Sequence, residues 1–143
     1  MAKPDPALLD PARYPFTCTI EPRFGDLDVN LHINNAAMAG LIEEGRVRFH
    51  LGIGYRELLV DRTSLVASLQ IDYLGEANYP DAIALHCAIE SVGRTSHRVA
   101  SLVTQNVRPI AFARTTLVTL GRGEPIALPA DFRQALAPWM LDA

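Results

Sequence analysis

The sequence predicts an α+β domain in which one long helix lies against an antiparallel sheet. Three features carry that expectation: two-residue alternation near the start, a switch to helical periodicity near residue 35, and β-type alternation after residue 61. A chain of 143 residues suits one domain, 1–143, with residues 1–15 as an irregular lead-in and 121–143 as an irregular tail. Its 49% hydrophobic and 20% charged content is enough to fill a core and argues against disorder.

The lead-in carries Pro4, Pro6, Pro11 and Pro15, which punctuate any regular element. "FTCTIEPR" then alternates, with Phe16, Cys18 and Ile20 on one side, as in a half-buried strand. From Asn35 to about Leu51 the period becomes helical. Met38, Leu41, Ile42, Gly45 and Phe49 share a face, and Glu43, Glu44, Arg46 and Arg48 point elsewhere. Asn34 or Asn35 can cap the helix by accepting an unpaired backbone N–H, and "LGIG" at 51–54 stops it. Gly40 and Gly45 each cost roughly 1 kcal/mol relative to Ala within a helix, which suggests that something approaches the backbone closely there.

Beyond Asp61, Leu65, Ala67, Leu69, Ile71 and Tyr73 alternate with polar or smaller residues, and "GEANYPD" reads as a turn. Ile83, Leu85, Cys87 and Ile89 open the next run, "SVGRTS" closes it, and two further runs are divided at Arg108-Pro109. Such short connections suit an antiparallel meander of four strands. One helix covers only one face of the sheet and leaves its edges open, so a homo-oligomer, at least a dimer, is expected. The mixed polarity of residues 96–120 suits strands that meet a partner. One helical turn fits in the tail "LPADFRQALAPWMLD".

Composition narrows the function. A formal net charge of -3 with scattered arginines argues against nucleic acid as a partner. The two cysteines form no CxxC pair and read as buried free thiols. The N-terminus is too proline-rich and acidic for a signal peptide, and no apolar run approaches the ~18 residues of a membrane span. With no Asn-x-Ser/Thr sequon, a cytoplasmic location without membrane insertion is expected.

One stretch stands apart. "FGDLDVNLHINN", residues 24–35, concentrates two acids, a histidine and three asparagines between apolar segments. Asp26, Asp28 and Asn30 match the first three ligand positions of a calcium loop, but Leu31 and Ala37 stand where that loop needs Gly and Glu. Asp28 and His32 lack a third metal ligand nearby, so no metal is expected. Serine chemistry has no G-x-S-x-G elbow to support it. A carboxylate acting as base or nucleophile fits better, because the unpaired N–H groups of a helix start can polarise a carbonyl beside it. A plain strand-to-helix turn with capping asparagines accounts for the same residues about as well.

The pattern R-x-x-D-x-D-x-x-x-H-x-N-N, formed by Arg23, Asp26, Asp28, His32, Asn34 and Asn35 and followed by "EEGR" at 43–46, resembles the hotdog-fold acyl thioesterases. The resemblance is to the branch that includes 4-hydroxybenzoyl-CoA thioesterase-like proteins and plant fatty acyl-carrier-protein thioesterases. It spans roughly residues 16–120, more specifically in the first motif than in the later "GRTS" turn. It implies a hotdog fold, a long helix wrapped by an antiparallel sheet of five or more strands, and dimers with active sites at the subunit interface. The implied activity is hydrolysis of an acyl-CoA or acyl-ACP thioester, with coenzyme A as part of the substrate and no separate cofactor. On that pattern Asp28 activates water or attacks the carbonyl, and Asn30 and His32 match residues with catalytic roles in the plant branch. Asn34 and Asn35 shape the turn, and Gly93, Arg94, Thr95 and Ser96 lie near the pantetheine or nucleotide. Asp26 reads as a turn-stabilising acid. Glu44, on a solvated helix face, is an outside candidate, since some hotdog branches use a helical acid.

The chain departs from the pattern at Met38, where many relatives carry an aromatic, and at Gly45, where many carry Ala. Both changes remove bulk from the face that would line an acyl pocket. Two other readings compete. A hotdog enoyl or hydroxyacyl thioester hydratase shares "GD…N…H" at 25–32 but expects a proline and second acid that are missing here. A catalytically idle acyl-CoA-binding module has no need of the Asp28, Asn30 and His32 set.

Overall fold

A computed structural model describes residues 3–142. The chain begins with two 3-10 turns, Pro6–Leu9 and Pro11–Arg13, each with Pro at its start and each capped by an aspartate, Asp5 or Asp10. The regular elements then follow as β1 (Phe16–Ile20), α1 (Asn35–Gly52), a single-turn α2 (Tyr55–Leu58), β2 (Thr63–Tyr73), β3 (Ile83–Val92), β4 (Ser96–Gln105), β5 (Arg108–Gly121), a two-residue β6 (Glu124–Pro125) and a single-turn α3 (Phe132–Ala135).

All strand pairs are antiparallel, in the order β1-β3-β4-β5-β2, with β6 on β5. The sheet curls around α1, which is the hotdog arrangement the motif implied. The expected strand, helix and four-strand order is therefore present. The second hairpin strand, β6, and the short α2 were not legible as elements. β4 and β5 lie inside the sheet between strands of the same chain, so the mixed polarity of residues 96–120 does not mark a partner-facing edge. The edges are β1 and β2.

Apolar residues of α1 and the inner sheet face form two clusters. Ile33, Met38, Leu41 and Ile42 pack with Ile83, Leu85 and Ala113 near the helix start, and Phe49 packs with Tyr55, Ile89, Leu117 and Phe132 near its end. Tyr14 and Leu102 with Phe112 close the outer face beneath the lead-in. Gly45 lets α1 lie close against β3, since a Cβ there would sit 2.6 Å from Leu85 Cγ. The space at Gly45 is thus filled by Leu85 rather than left open for an acyl group, whereas Gly40 has nothing within 4 Å.

Two details overturn the simple alternation. Arg46, which reads as outward, and His50 are buried with the apolar face of α1. In β2 the register shifts between Val66 and Ser68, so Ala67 is the extra residue of a bulge. Val66 pairs with Leu117 and Leu69 with Thr115, both inner-face positions, whereas Leu65 falls on the opposite face. One inserted residue exchanges the faces of a strand because the side-chain period is two.

Candidate active site

The 3-10 turn Phe24–Asp26 carries the chain from β1 toward α1. Asp26, only 4% exposed, commits its carboxylate to that turn. Its oxygens accept from the Arg23 backbone N–H at 2.8 Å and from the Arg23 guanidinium at 3.1 Å, while its carbonyl accepts from Asn34 N–H at 2.8 Å. The backbone bond is the main reason its carboxyl lies below the usual range despite burial.

Asp28 opens a second tight turn. Leu31 N–H donates to the Asp28 carbonyl at 3.1 Å, Asp28 N–H donates to the His32 carbonyl at 2.9 Å, and Leu31 takes a φ of 63°. A leucine in this left-handed region carries backbone strain that Gly or Asn would avoid. Asp28 Oδ1 accepts from Asn30 N–H at 2.8 Å and His32 N–H at 3.2 Å, so the side chain itself scaffolds the turn. Both bonds fall on Oδ1, and Oδ2 is left for other work.

His32 is held from the other side. Its backbone bridges Asn78, Ile33 N–H donates to Ala77 carbonyl at 3.0 Å, and its Nε2 lies 3.3 Å from Glu76 Oε2. Glu76 was read only as part of the turn "GEANYPD". The signal available in sequence was an acid just after a strand, and only the fold brings it to His32.

Asn34 caps α1, its side-chain oxygen accepting from Ala36 N–H at 2.8 Å. Met38 N–H bonds the Asn34 carbonyl and Ala36 N–H the Asn34 side chain, so the amides of Asn35 and Ala37 are the donors this helix start leaves unpaired. Asn35 begins the helix, and its carbonyl accepts from Tyr73 O–H at 2.8 Å. Asp28, Asn30, His32 and Asn35 line one cleft of about 180 Å3, bordered by Tyr73 and Glu76. Met38, nearly buried, forms part of its floor. The positive end of the helix dipole thus adjoins a carboxylate and an imidazole in one small space.

Other sequence candidates lie elsewhere. Asn34 is exposed beside the cleft rather than lining it. Glu44 pairs with Arg48 on an exposed helix face and borders a different groove. Gly93, Arg94, Thr95 and Ser96 form the β3–β4 turn, closed by Gly93 N–H to the Ser96 carbonyl at 2.7 Å. That turn stands at the opposite end of ten-residue β3 from Ile83, which packs beside Ile33 and Met38. At about 3.3 Å per residue the two ends are on the order of 30 Å apart along the strand, so one chain does not bring the turn to Asp28.

Neither cysteine is placed for chemistry. Cys18 and Cys87 are free thiols, and burial pushes Cys87 up to about 12. Among the described residues, no three His, Cys, Asp or Glu side chains gather as a metal set, and no helix is long and apolar enough to cross a membrane.

This cleft, at the start of a helix wrapped by a sheet, defines the class of protein, a hotdog-fold domain with an acidic turn. Residues 22–136 match the family model described as the thioesterase-like superfamily, and the chain belongs to that superfamily. A thioesterase from Thermus thermophilus, crystallised with coenzyme A and Zn, is 30% identical, with a TM-score of 0.77 over 87% of this chain and 92% of that one. A protein from Pseudomonas aeruginosa strain PAO1 is 22% identical, with a TM-score of 0.80 over 92% of this chain and 96% of that one. YbaW from Escherichia coli, described as a probable thioesterase, is 21% identical, with a TM-score of 0.74 over 87% of this chain and 98% of that one. The last two likenesses show the fold alone. A comparison with curated proteins gives no match. Family and fold together support thioester hydrolysis as the general class of activity.

Proposed function

We propose that the protein hydrolyses the thioester of an acyl-CoA or acyl-ACP to a free acid and a thiol, with Asp28 as the reacting carboxylate. The observation that carries this is the shared cleft, in which Asp28, Asn30 and His32 meet the first turn of α1. The scissile carbonyl oxygen rests against first-turn amides, which stabilise the oxyanion as it forms. Asp28 Oδ2 either attacks the acyl carbon, giving a mixed anhydride that water later cleaves, or removes a proton from the attacking water. In both routes the carbon–sulfur bond breaks and the thiolate leaves. His32, oriented by Glu76, stands ready to supply the proton that the thiolate takes up. Coenzyme A enters as part of the substrate, and the reading needs no metal or separate cofactor.

The reading includes a homodimer. Edge strand β2 exposes Val66, Leu69 and Tyr73 on one face and Leu65 on the other, apolar side chains that a bare edge strand would normally avoid. Gly93, Arg94, Thr95 and Ser96 then meet the carrier portion of a substrate bound to the second chain, since their own cleft lies too far away. Two free thiols suit a reducing cytoplasm.

The test is thiol release from a panel of acyl-CoA and acyl-ACP substrates, with wild type beside Asp28→Asn. Turnover by wild type and its loss in a folded Asp28→Asn variant are expected. Near-full turnover by that variant would remove Asp28 from the mechanism, and loss of enoyl absorbance without thiol release would indicate hydration chemistry instead. Single-turnover hydrolysis in 18O-labelled water tests direct attack, because label reaches the Asp28 carboxylate only when an anhydride formed there is cleaved at the Asp28 carbonyl carbon.

A further inference from the structure

At the far end of α1, two histidines meet inside the core. His50 from α1 and His97 from β4 are 4% and 2% exposed, and their Nε2 atoms are 3.1 Å apart. One nitrogen must donate and the other accept, so the contact holds one proton and has no place for two. Tyr55 of α2 stacks on His50 at 3.9 Å between ring centroids, and Phe132 of α3 packs edge-on against His97 at 5.5 Å. The imidazole pair is thus the point where α1, α2, β4 and α3 touch. The proposed chemistry at Asp28 uses none of it.

We propose that His50 and His97 form an acid-released latch, which holds α2 and the C-terminal segment to the sheet while one proton is shared and lets them go when a second arrives.

The second proton comes from solvent and turns an N–H···N bond into two cations facing each other with donors only. Every neighbouring element leaves that charge uncompensated. From α1 the nearest ionisable group is Arg46, itself buried and cationic, and from α2 it is Tyr55, whose hydroxyl burial keeps protonated. β3 contributes Cys87, held as a neutral thiol, and the inner face of β5 contributes Leu117 and Thr119. α3 presents Phe132, while Arg133 is turned to the Val92 carbonyl at 2.7 Å. Glu43 lies nearer to Arg46 and is exposed, and Arg98, beside His97 in sequence, pairs with Glu90. Among the described residues, no carboxylate faces the rings. Burial accordingly drives His50 well below its ordinary value and His97 down to about 4, with each other's charge and Arg46 adding to the burial effect on His50 and Arg46 to that on His97.

What the latch holds is defined by the surrounding bonds. The C-terminal segment reaches the sheet through Leu128 N–H to the Arg94 carbonyl at 2.8 Å, Leu141 N–H to the Ile89 carbonyl at 2.8 Å, and the Arg133 bond to Val92. Its buried anchors are Phe132 and Leu136, and Trp139 packs on Phe49 at 6.5 Å. Release therefore reaches the Gly93–Ser96 turn through Leu128, on the other side of the molecule from Asp28.

Trp139 is the only tryptophan and reports on the segment directly. The experiment follows Trp139 emission, and hydrogen exchange of amides 128–142, from pH 7.5 down to 3.5 in wild type and in His50→Leu/His97→Leu, which retains bulk and removes the titration. Wild type is expected to show a cooperative exposure of Trp139, with faster exchange in the segment, between pH 6.5 and 4. The double variant's midpoint is expected at least about one pH unit lower. The same midpoint in both proteins overturns the latch. Should the double variant not fold, histidine NMR of wild type decides: imidazoles that titrate near 6.5 with Trp139 unmoved refute the latch, and titration coincident with the Trp139 change supports it. Neither readout requires thioesterase turnover, so the outcome stands apart from the reading of Asp28.

Discussion

The two ends of α1 carry polar chemistry in opposite ways. At its start, Asp28 and His32 sit in a cleft open to solvent, and backbone N–H groups fix the carboxylate through one oxygen. At its end, His50 and His97 have been taken out of water and satisfy only each other, with His97 Nδ1 buried and unpartnered. The first arrangement leaves polar side chains at the surface of a cleft. The second avoids charge, and its stability depends on protons rather than on substrate. A side chain fixed by backbone donors at a turn is suited to chemistry, and one fixed by a like neighbour in the core is suited to sensing.

The largest effect that would sharpen this contrast is on turnover. Asp28→Asn is expected to lower thiol release by at least about 10³-fold, the upper part of what one acid/base group contributes, with the melting temperature within a degree or two of wild type. Next comes acid stability. His97 is held neutral when folded, so between pH 6.5 and about 4 the unfolded chain binds more protons than the folded one. Its contribution is complete above pH 6.5, is lost as pH falls toward 4, and amounts to about 3 kcal/mol, measurable by urea unfolding at pH 7 and pH 4.5. An equal unfolding free energy at both pH values would break the comparison.

Gly45→Val lies between the two ends and tests whether they are independent. Its added carbons collide with Leu85, and a loss of about 2 kcal/mol in unfolding free energy is expected. Smaller still, Glu76→Gln is expected to reduce turnover about tenfold, since it loosens the orientation of His32 without unmaking the turn. The least is Asn34→Ala, which removes the bond to Ala36 N–H and is expected to cost about 1 kcal/mol of stability with turnover retained.

The sequence displayed one end of the helix and hid the other. Asp28, Asn30 and His32 were visible because polar residues crowd into a short stretch before a helical period, and α1 was bounded nearly to the residue by Asn34 and the glycines after Leu51. Glu76 was not visible, because its role depends on a loop returning to His32 across the sheet. Arg46 escaped because its polarity was taken as outward, and His50 carried no local mark of its face, whereas tertiary packing buried both near Tyr55 and His97. The Ala67 bulge also has no local mark. "LVASLQIDY" reads as one uninterrupted alternation, and only pairing with β5 shows that its phase changes halfway.

The contact between Gly45 and Leu85 has a consequence across evolutionary time. The two positions share one fixed volume between helix and sheet, so neither is free to change size alone. A lineage that acquires alanine or a larger residue at 45 must shorten the residue at 85, in either order through a less stable intermediate. Related sequences should then show the two positions trading bulk, while Gly40, with open space around it, drifts without a correlated partner.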